Sequence, residues 1–307
     1  MCTTENDLQV LAWLYARLDD LQARQGSDLF LSPDAPPAVK VNGQLVRLSD
    51  RPINGDNTLA IARAIMTPLQ FSHFQQTKES NFAIAPPDRP RFRVNAFMQL
   101  GQAGMVFRAI AANPPSLDGM GLPQALKTIA LQKRGLVILV GATGAGKSTT
   151  LAAMVDWINQ KSQGHIVTVE DPIEFLHPHK QCLVTQREIG IDTLDWSLAL
   201  KNALRQAPDV IVVGELRDRD STDQAVSFSE TGHLVLATMH ANNTNQALER
   251  IVSFFPENSR PRLYMNLSLN VHALISQRLV RRADGRGRLA AVEIMVNTPL
   301  IRGMIQK

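Results

Sequence analysis

The chain has 307 residues, of which 44% are apolar and 20% charged, enough for about two globular domains and far from disordered, collagen-like or purely coiled-coil composition. Its longest apolar runs, such as Leu136–Val140, are much shorter than the ~20 residues of a membrane span, and the opening residues lack the basic-then-apolar pattern of a secretion signal. Two cysteines, Cys2 and Cys182, cannot form a disulfide framework or a four-thiolate zinc site, which makes the cytoplasm the default compartment; a net charge of +4 is too small to argue for a nucleic-acid partner.

The first third reads as α+β. Asp7–Gln25 carries a helical stripe of Leu8, Leu11, Ala12, Tyr15, Leu18 and Leu21, expected to serve core or subunit packing rather than membrane binding, and Gly26 is expected to stop that helix. Ser27–Ser32 reads as a strand. Val39–Val41 and Leu45–Leu48 flank Asn42-Gly43, a two-residue hairpin signal. Thr58–Met66 reads as a helix ended near Pro68, and Asn81–Ala85 and Arg91–Met98 as strands. Short strands with tight turns imply an antiparallel sheet with helices on one side.

The turn-rich stretch Asn113–Gly119 marks a linker, dividing the chain into domain 1–112, linker 113–121 and domain 122–307. Past it, apolar strands alternate with helices. The strands are Leu136–Val140, Ile166–Val169, Val210–Val213 and Leu234–Ala237. The helices are Lys147–Gln160, Asp195–Gln206, Thr222–Glu230, Thr244–Phe254 and Arg260–Gln277. Strands without polar alternation indicate a parallel sheet covered on both faces. Leu279–Arg282 and Leu289–Val296 bracket a late hairpin.

Gly141-Ala142-Thr143-Gly144-Ala145-Gly146-Lys147-Ser148 matches G-x-x-x-x-G-K-[ST] between an apolar strand and a helix, the context that supports a phosphate loop. Glycines let the backbone wrap a phosphate, and the helix start faces the anion. Lys147 is expected to reach the β/γ-phosphates and Ser148 to ligate Mg²⁺. Glu170-Asp171-Pro172-Ile173-Glu174 and Gly214-Glu215 follow the next strands, at the ends where open α/β sheets place ligands; spacing alone does not decide which carboxylate is the base. His233 and His240 bracket Leu234–Ala237, and imidazole can bond a γ-phosphate or its attacking water.

Gly141–Thr150, Val169–Phe175, Val213–Asp218 and Thr231–His240 resemble, in order, the Walker A, Asp box, Walker B and His box of the type II/IV secretion ATPases. Within them the chain resembles the pilus-retraction branch that holds the PilT and PilU proteins. Ala241–Arg250 with Phe254-Phe255-Pro256, and Ala290–Glu293 with Asn297–Ile301, are nearer to PilU.

The resemblance implies a PAS-like α+β amino-terminal domain and a RecA-like P-loop ATPase domain. It implies a homo-hexamer that hydrolyses ATP with Mg²⁺ at the inner face of the bacterial inner membrane. There it would power type IV pilus retraction and twitching motility through a membrane platform protein, alongside a PilT-like partner. Gly141, Thr143, Gly144, Ala145, Gly146, Lys147, Ser148 and Thr149 would hold the nucleotide, with Ser148 and Glu215 serving the metal. Glu174 would be the general base, with His233 and His240 as the His-box pair. Arg93 and Arg108 would reach a neighbour's nucleotide, or else form a strand salt bridge.

The lack of a four-cysteine zinc element and of a long amino-terminal extension favours retraction over assembly. Leu300–Ile305 resembles the start of an element that relatives follow with further helices, so such helices are expected beyond residue 307. A nucleotide-dependent adaptor acting on a PilT-like ring is a second reading. A DNA translocase is a third, poorly supplied by 5% aromatic residues and a small basic surplus. Arg281, Arg282, Arg286 and Arg288 read as a solvated turn, with contact to an anionic lipid or acidic loop as the alternative. His177 and His179 read as loop surface, and Cys182 as a small buried hydrophobe.

Overall fold

A computed structural model describes residues 5–110, 113–283 and 287–306. The chain forms two compact units, Met1–Ala112 and Asn113–Lys307.

In the first unit, α1 (Glu5–Ala23) precedes strands β1 (Asp28–Leu31), β2 (Ala38–Val41) and β3 (Gln44–Arg47). Helices α2 (Gly55–Ile65) and α3 (Pro68–Thr77) follow, then β4 (Glu79–Ile84), β5 (Phe92–Gln99) and β6 (Gln102–Ala109). The six strands form one sheet in the order β3-β2-β1-β6-β5-β4, with every pairing antiparallel. Leu14, Leu18 and Leu21, one face of α1, pack with Phe74, Phe92, Val94 and Phe107 in its core.

Asn42 and Gly43 both adopt left-handed φ, +50° and +83°, as a two-residue hairpin loop requires. The α1 terminus differs from expectation in its detail. Gln25 takes the left-handed turn (φ +51°) and the Gly26 N–H closes on the Leu21 carbonyl at 2.9 Å. Gly26 is needed for space, because a Cβ there would lie 2.7 Å from Leu21 Cδ1. Pro68 opens α3 behind a Thr67 capping box rather than merely closing α2.

The second unit contains α4 (Ala125–Ala130), β7 (Gly135–Val140), α5 (Lys147–Lys161), β8 (Gly164–Glu170) and β9 (Cys182–Glu188). Next come α6 (Trp196–Ala203), β10 (Val210–Val213), α7 (Arg219–Glu230), β11 (Leu234–Met239), α8 (Thr244–Ser253) and α9 (Arg260–Asn270). It ends with β12 (Val271–Arg281), β13 (Arg288–Val296) and α10 (Pro299–Ile305). The sheet order is β13-β12-β7-β11-β10-β8-β9. From β12 to β9 the strands are parallel, and β13 is antiparallel.

Helices cover both faces. Leu136, Ile138 and Val140 of β7 pack with residues of α6, α7, α8 and α9. Val137 and Leu139, pointing the other way, pack with α4 and α5. All of β7 and β11 is buried, which is why their sequences carry no alternation.

The helix expected over Arg260–Gln277 is corrected: α9 stops at Asn270 and Val271 begins the eleven-residue β12. Leu263, Leu267 and Leu274 fit a helical period, but Val271–Ser276 gains ladder partners on β7 and most of β12 pairs with β13. Cys182 is buried, and burial raises its thiol pKa.

Phe228 of α7 is 1% exposed in the core beneath this sheet. Phe228→Ala is expected to lower unfolding free energy by about 3–5 kcal/mol, measured by urea denaturation.

Candidate active site

Register brings four strand ends to one rim. Val140 pairs with Met239, Ala237 with Val213, and Val213 with Val169. The segments leaving β7, β11, β10 and β8 therefore emerge side by side, carrying Gly141–Gly146, His240–Asn243, Gly214–Asp218 and Asp171–Phe175.

The loop after β7 turns through left-handed Gly144 (φ +76°) and Gly146 (φ +84°). α5 starts directly after Gly146 without a side-chain cap, leaving its opening N–H groups for an anion. Thr143 and Gly144 are exposed, Gly141 and Ala145 are buried, and Ser148 and Thr149 are half-buried in the first helical turn.

Lys147, 7% exposed, donates to the Gly141 and Ala142 carbonyls at 2.9 and 3.1 Å. Burial lowers its pKa, while the charges of Glu215 and Glu174 pull the other way. The charges of both carboxylates thus act on the same ammonium.

Glu215 is fixed from two sides. One oxygen accepts from Arg217 Nε at 2.7 Å, and the other lies 3.0 Å from His240 Nε2. Arg217 also reaches Asp171 at 3.4 Å, so one guanidinium bridges two of the rim segments. The hydrogen bond to Glu215, foremost, raises the Arg217 pKa. The rim is braced from below: Thr238 Oγ1 donates to the Gly214 carbonyl at 2.5 Å, and Gly214 N–H donates to the Val169 carbonyl at 2.8 Å. Glu174 is exposed on a segment whose Ile173 N–H donates to buried Glu188 at 3.3 Å.

Glu170 sits behind Glu174. Burial pushes its pKa up to about 7, against hydrogen bonds from Thr168 and Gln186 at 2.7 and 3.3 Å.

The sequence-derived set does not all assemble. His240 joins Glu215, whereas His233 lies at the amino end of β11, roughly 23 Å of extended chain away. Its Nδ1 pairs with Thr231 Oγ1 and the Phe228 carbonyl at 3.0 and 3.1 Å. The two histidines therefore do not share a site within one chain, because the intervening strand runs the full height of the sheet. Arg93 and Arg108 stand opposite each other on β5 and β6 of the first unit. Arg108 is ion-paired with buried Asp28 at 2.7 Å.

His177 departs from the surface reading. It is half-buried and burial drives its pKa down to about 4. His179 is exposed and accepts from the Val184 N–H at 3.1 Å. Arg281, Arg282 and Arg288 are exposed; Arg286 falls outside the described residues. Sequence reading missed Arg217, whose signal was its position two residues past Glu215 on the same strand tip. It also missed Glu188, which lies in a strand whose mixed composition hides it.

A glycine loop from a buried parallel strand, a lysine opening the next helix, and acids on neighbouring strand tips define a RecA-like P-loop nucleotide site. The family model described as Type II/IV secretion system protein matches residues 4–304, and the chain belongs to that family. It is 51% identical over 282 residues to the type IV pilus ATPase PilU of Pseudomonas aeruginosa, covering 92% of this chain and 74% of the relative. It is 43% identical over 286 residues to the type IV pilus retractation ATPase PilT of the same organism, covering 93% and 83%. Among solved structures, the pilus retraction motor PilT with bound ADP superposes with a TM-score of 0.90 at 37% identity, over 94% of this chain and 84% of that one. The protein is thus a pilus- and secretion-type ATPase with a PAS-like α+β domain and a RecA-like domain. Among the described residues, no helix is long and apolar enough to cross a membrane.

The Glu170 acid binds its proton more tightly in the folded than in the unfolded chain. Stability contributed at this position therefore falls as pH climbs from about 4.5 to about 7, and levels off above. Glu170→Gln is expected to flatten that slope and to stabilise the protein above pH 7. Partial contact with solvent holds the effect to the order of 2 kcal/mol. Urea unfolding at pH 5 and pH 8 measures it.

Proposed function

We propose that the chain is a motor subunit that hydrolyses ATP to power type IV pilus retraction. It would act as a homo-hexamer on the cytoplasmic face of the inner membrane, with a PilT-like retraction ATPase and an inner-membrane platform protein as partners. The observation that carries this reading is the convergence of Lys147, Glu215 and His240 on one rim, with Glu174 close enough for its charge to act on the same lysine. The similarity to PilU and PilT supports the retraction role.

In this reading the triphosphate lies along Gly141–Gly146, with the N–H groups of the loop and of the α5 start turned to its oxygens. Lys147 exchanges its two carbonyl partners for β/γ-phosphate oxygens. That exchange preserves its hydrogen bonding and gives the buried charge an anionic partner. Mg²⁺ suits the available donors. Ser148 offers a hydroxyl and Glu215 a carboxylate, both hard oxygens, and such an ion draws its remaining ligands from phosphate and water. When bound, it would neutralise charge developing between the β- and γ-oxygens.

Glu174 takes the proton from the attacking water. His240, held by Glu215, is placed to bond the γ-phosphate or that water. Arg217 keeps Glu215 in position. Arg93 and Arg108 are proposed to lend positive charge to a neighbouring subunit's nucleotide. Within one chain His233 holds the turn before β11, at the other end of that strand from His240. Relaxation after cleavage of the γ-phosphate would shift one subunit against the next.

Steady-state ATPase assays with magnesium test the chemistry. Glu174→Gln is expected to cut kcat by about 10²–10⁴-fold while ATP still binds, and Lys147→Ala to abolish binding. Unchanged kcat in Glu174→Gln removes that residue as base. Size measurement with and without ATP, and turnover with and without a PilT-like ring, test the assembly and its partner. A chain that stays monomeric with ATP refutes the hexamer.

A further inference from the structure

β12 carries none of the motifs from which the site was read, yet its tip meets the phosphate loop at several points. Parallel pairing sets Ser276 opposite Val140, so Gln277 stands beside Gly141, where the loop begins. A Cβ on Gly141 would lie 2.5 Å from the Gln277 carbonyl oxygen, and one on Gly146 would lie 2.7 Å from Gln277 Nε2. The Gln277 backbone therefore requires glycine at position 141 apart from any approach of phosphate, while at Gly146, already left-handed at φ +84°, a side chain would displace the Gln277 amide.

The Gln277 side chain is 1% exposed and uses both ends of its amide. Nε2 donates to the Ala145 carbonyl at 2.8 Å, and Oε1 accepts from Thr150 Oγ1 at 2.7 Å. Ala145 belongs to the loop and Thr150 to the first turn of α5. One buried amide thus ties the loop to the helix, where water does not compete for either bond. The neighbours of Gln277 on the strand serve a second loop. Ser276 Oγ and Arg278 Nη2 both donate to the Asn242 carbonyl, at 3.3 and 3.0 Å, in the segment that leaves His240.

We propose that Gln277 is a positioning residue for nucleotide binding, holding the Ala145–Gly146 bend against the start of α5 so that the phosphate cradle is formed before the ligand arrives. The proposal rests on the nucleotide reading above. A preformed cradle spares the ligand the cost of ordering the loop. Loss of the amide therefore appears in affinity.

The test measures binding of the fluorescent analogue mant-ATP with magnesium, and thermal unfolding without nucleotide, on the full chain. Gln277→Met keeps the length of the side chain and removes both hydrogen bonds. Gln277→Glu keeps the acceptor for Thr150 and loses the donor to Ala145. Val271→Ala truncates a buried residue at the far end of the same strand and controls for lost stability.

Gln277→Met is expected to weaken mant-ATP binding about tenfold, equivalent to about 1.4 kcal/mol, and Gln277→Glu about threefold or more. Val271→Ala is expected to keep its affinity within about twofold despite a lower Tm. Wild-type affinity in Gln277→Met, or an equal loss in Val271→Ala, overturns the proposal. If Gln277→Met does not fold, Thr150→Val removes one of the bonds from the other side and decides in the same way. A wild-type chain that takes up no mant-ATP sinks the nucleotide reading itself, an outcome distinct from failure of the brace.

Discussion

The site depends on the parallel pairing of β7 between β12 and β11. Buried on both faces, β7 has no freedom to slide, since a shift of one residue would exchange the side chains facing α5 for those facing α7 and α8. Its end at Val140 is thereby fixed, and the chain must turn at Gly141 whatever occupies the loop. The same ladder fixes the ends of β11, β10 and β8. Acids and an imidazole far apart in sequence are thus delivered to one edge by backbone hydrogen bonds alone.

Charges around that edge are set against partners. Lys147 is buried, but it bonds two carbonyls and feels two carboxylates. Glu215 has Arg217 on one oxygen and His240 on the other. Isolated burial of the Lys147 ammonium would cost several kcal/mol; its two carbonyl partners offset that cost until an incoming anion takes their place. Glu170 contrasts with them. Hydrogen bonds from Thr168 and Gln186 favour its charged form, but burial outweighs them and the acid form is favoured.

Much of this was legible in the sequence. Val-Ile-Val-Val and Leu-Val-Leu-Ala are too short and too apolar to be anything but central strands, and a glycine loop ahead of Lys147 has few other uses. The illegible parts share a cause: elements whose residues are chosen by a neighbour rather than by period. β6 begins after Leu100, a residue with φ +49° and 97% exposure, where no turn rule places leucine. β9 is an edge strand with mixed composition, and β12 continues the apolar spacing of α9 until its ladder partners intervene. The hairpin at Asn42-Gly43, by contrast, was readable because its turn chemistry is local.

The two histidines show why motif order and spatial order part company. His233 and His240 stand symmetrically about one strand, so in sequence they read as a pair. A six-residue strand is also the height of the sheet, and a parallel sheet has two different edges: at one the strands enter, at the other they leave. His240 leaves with the acids. His233 enters beside Gly135, whose N–H donates to the His233 carbonyl at 3.0 Å, and its ring closes the turn from α7. The residue that completes the loop's support is instead Gln277, which follows the last residue of β12 paired with β7. In a parallel α/β sheet, membership of the site is decided by which end of a strand a residue occupies, and nearness in sequence counts for little.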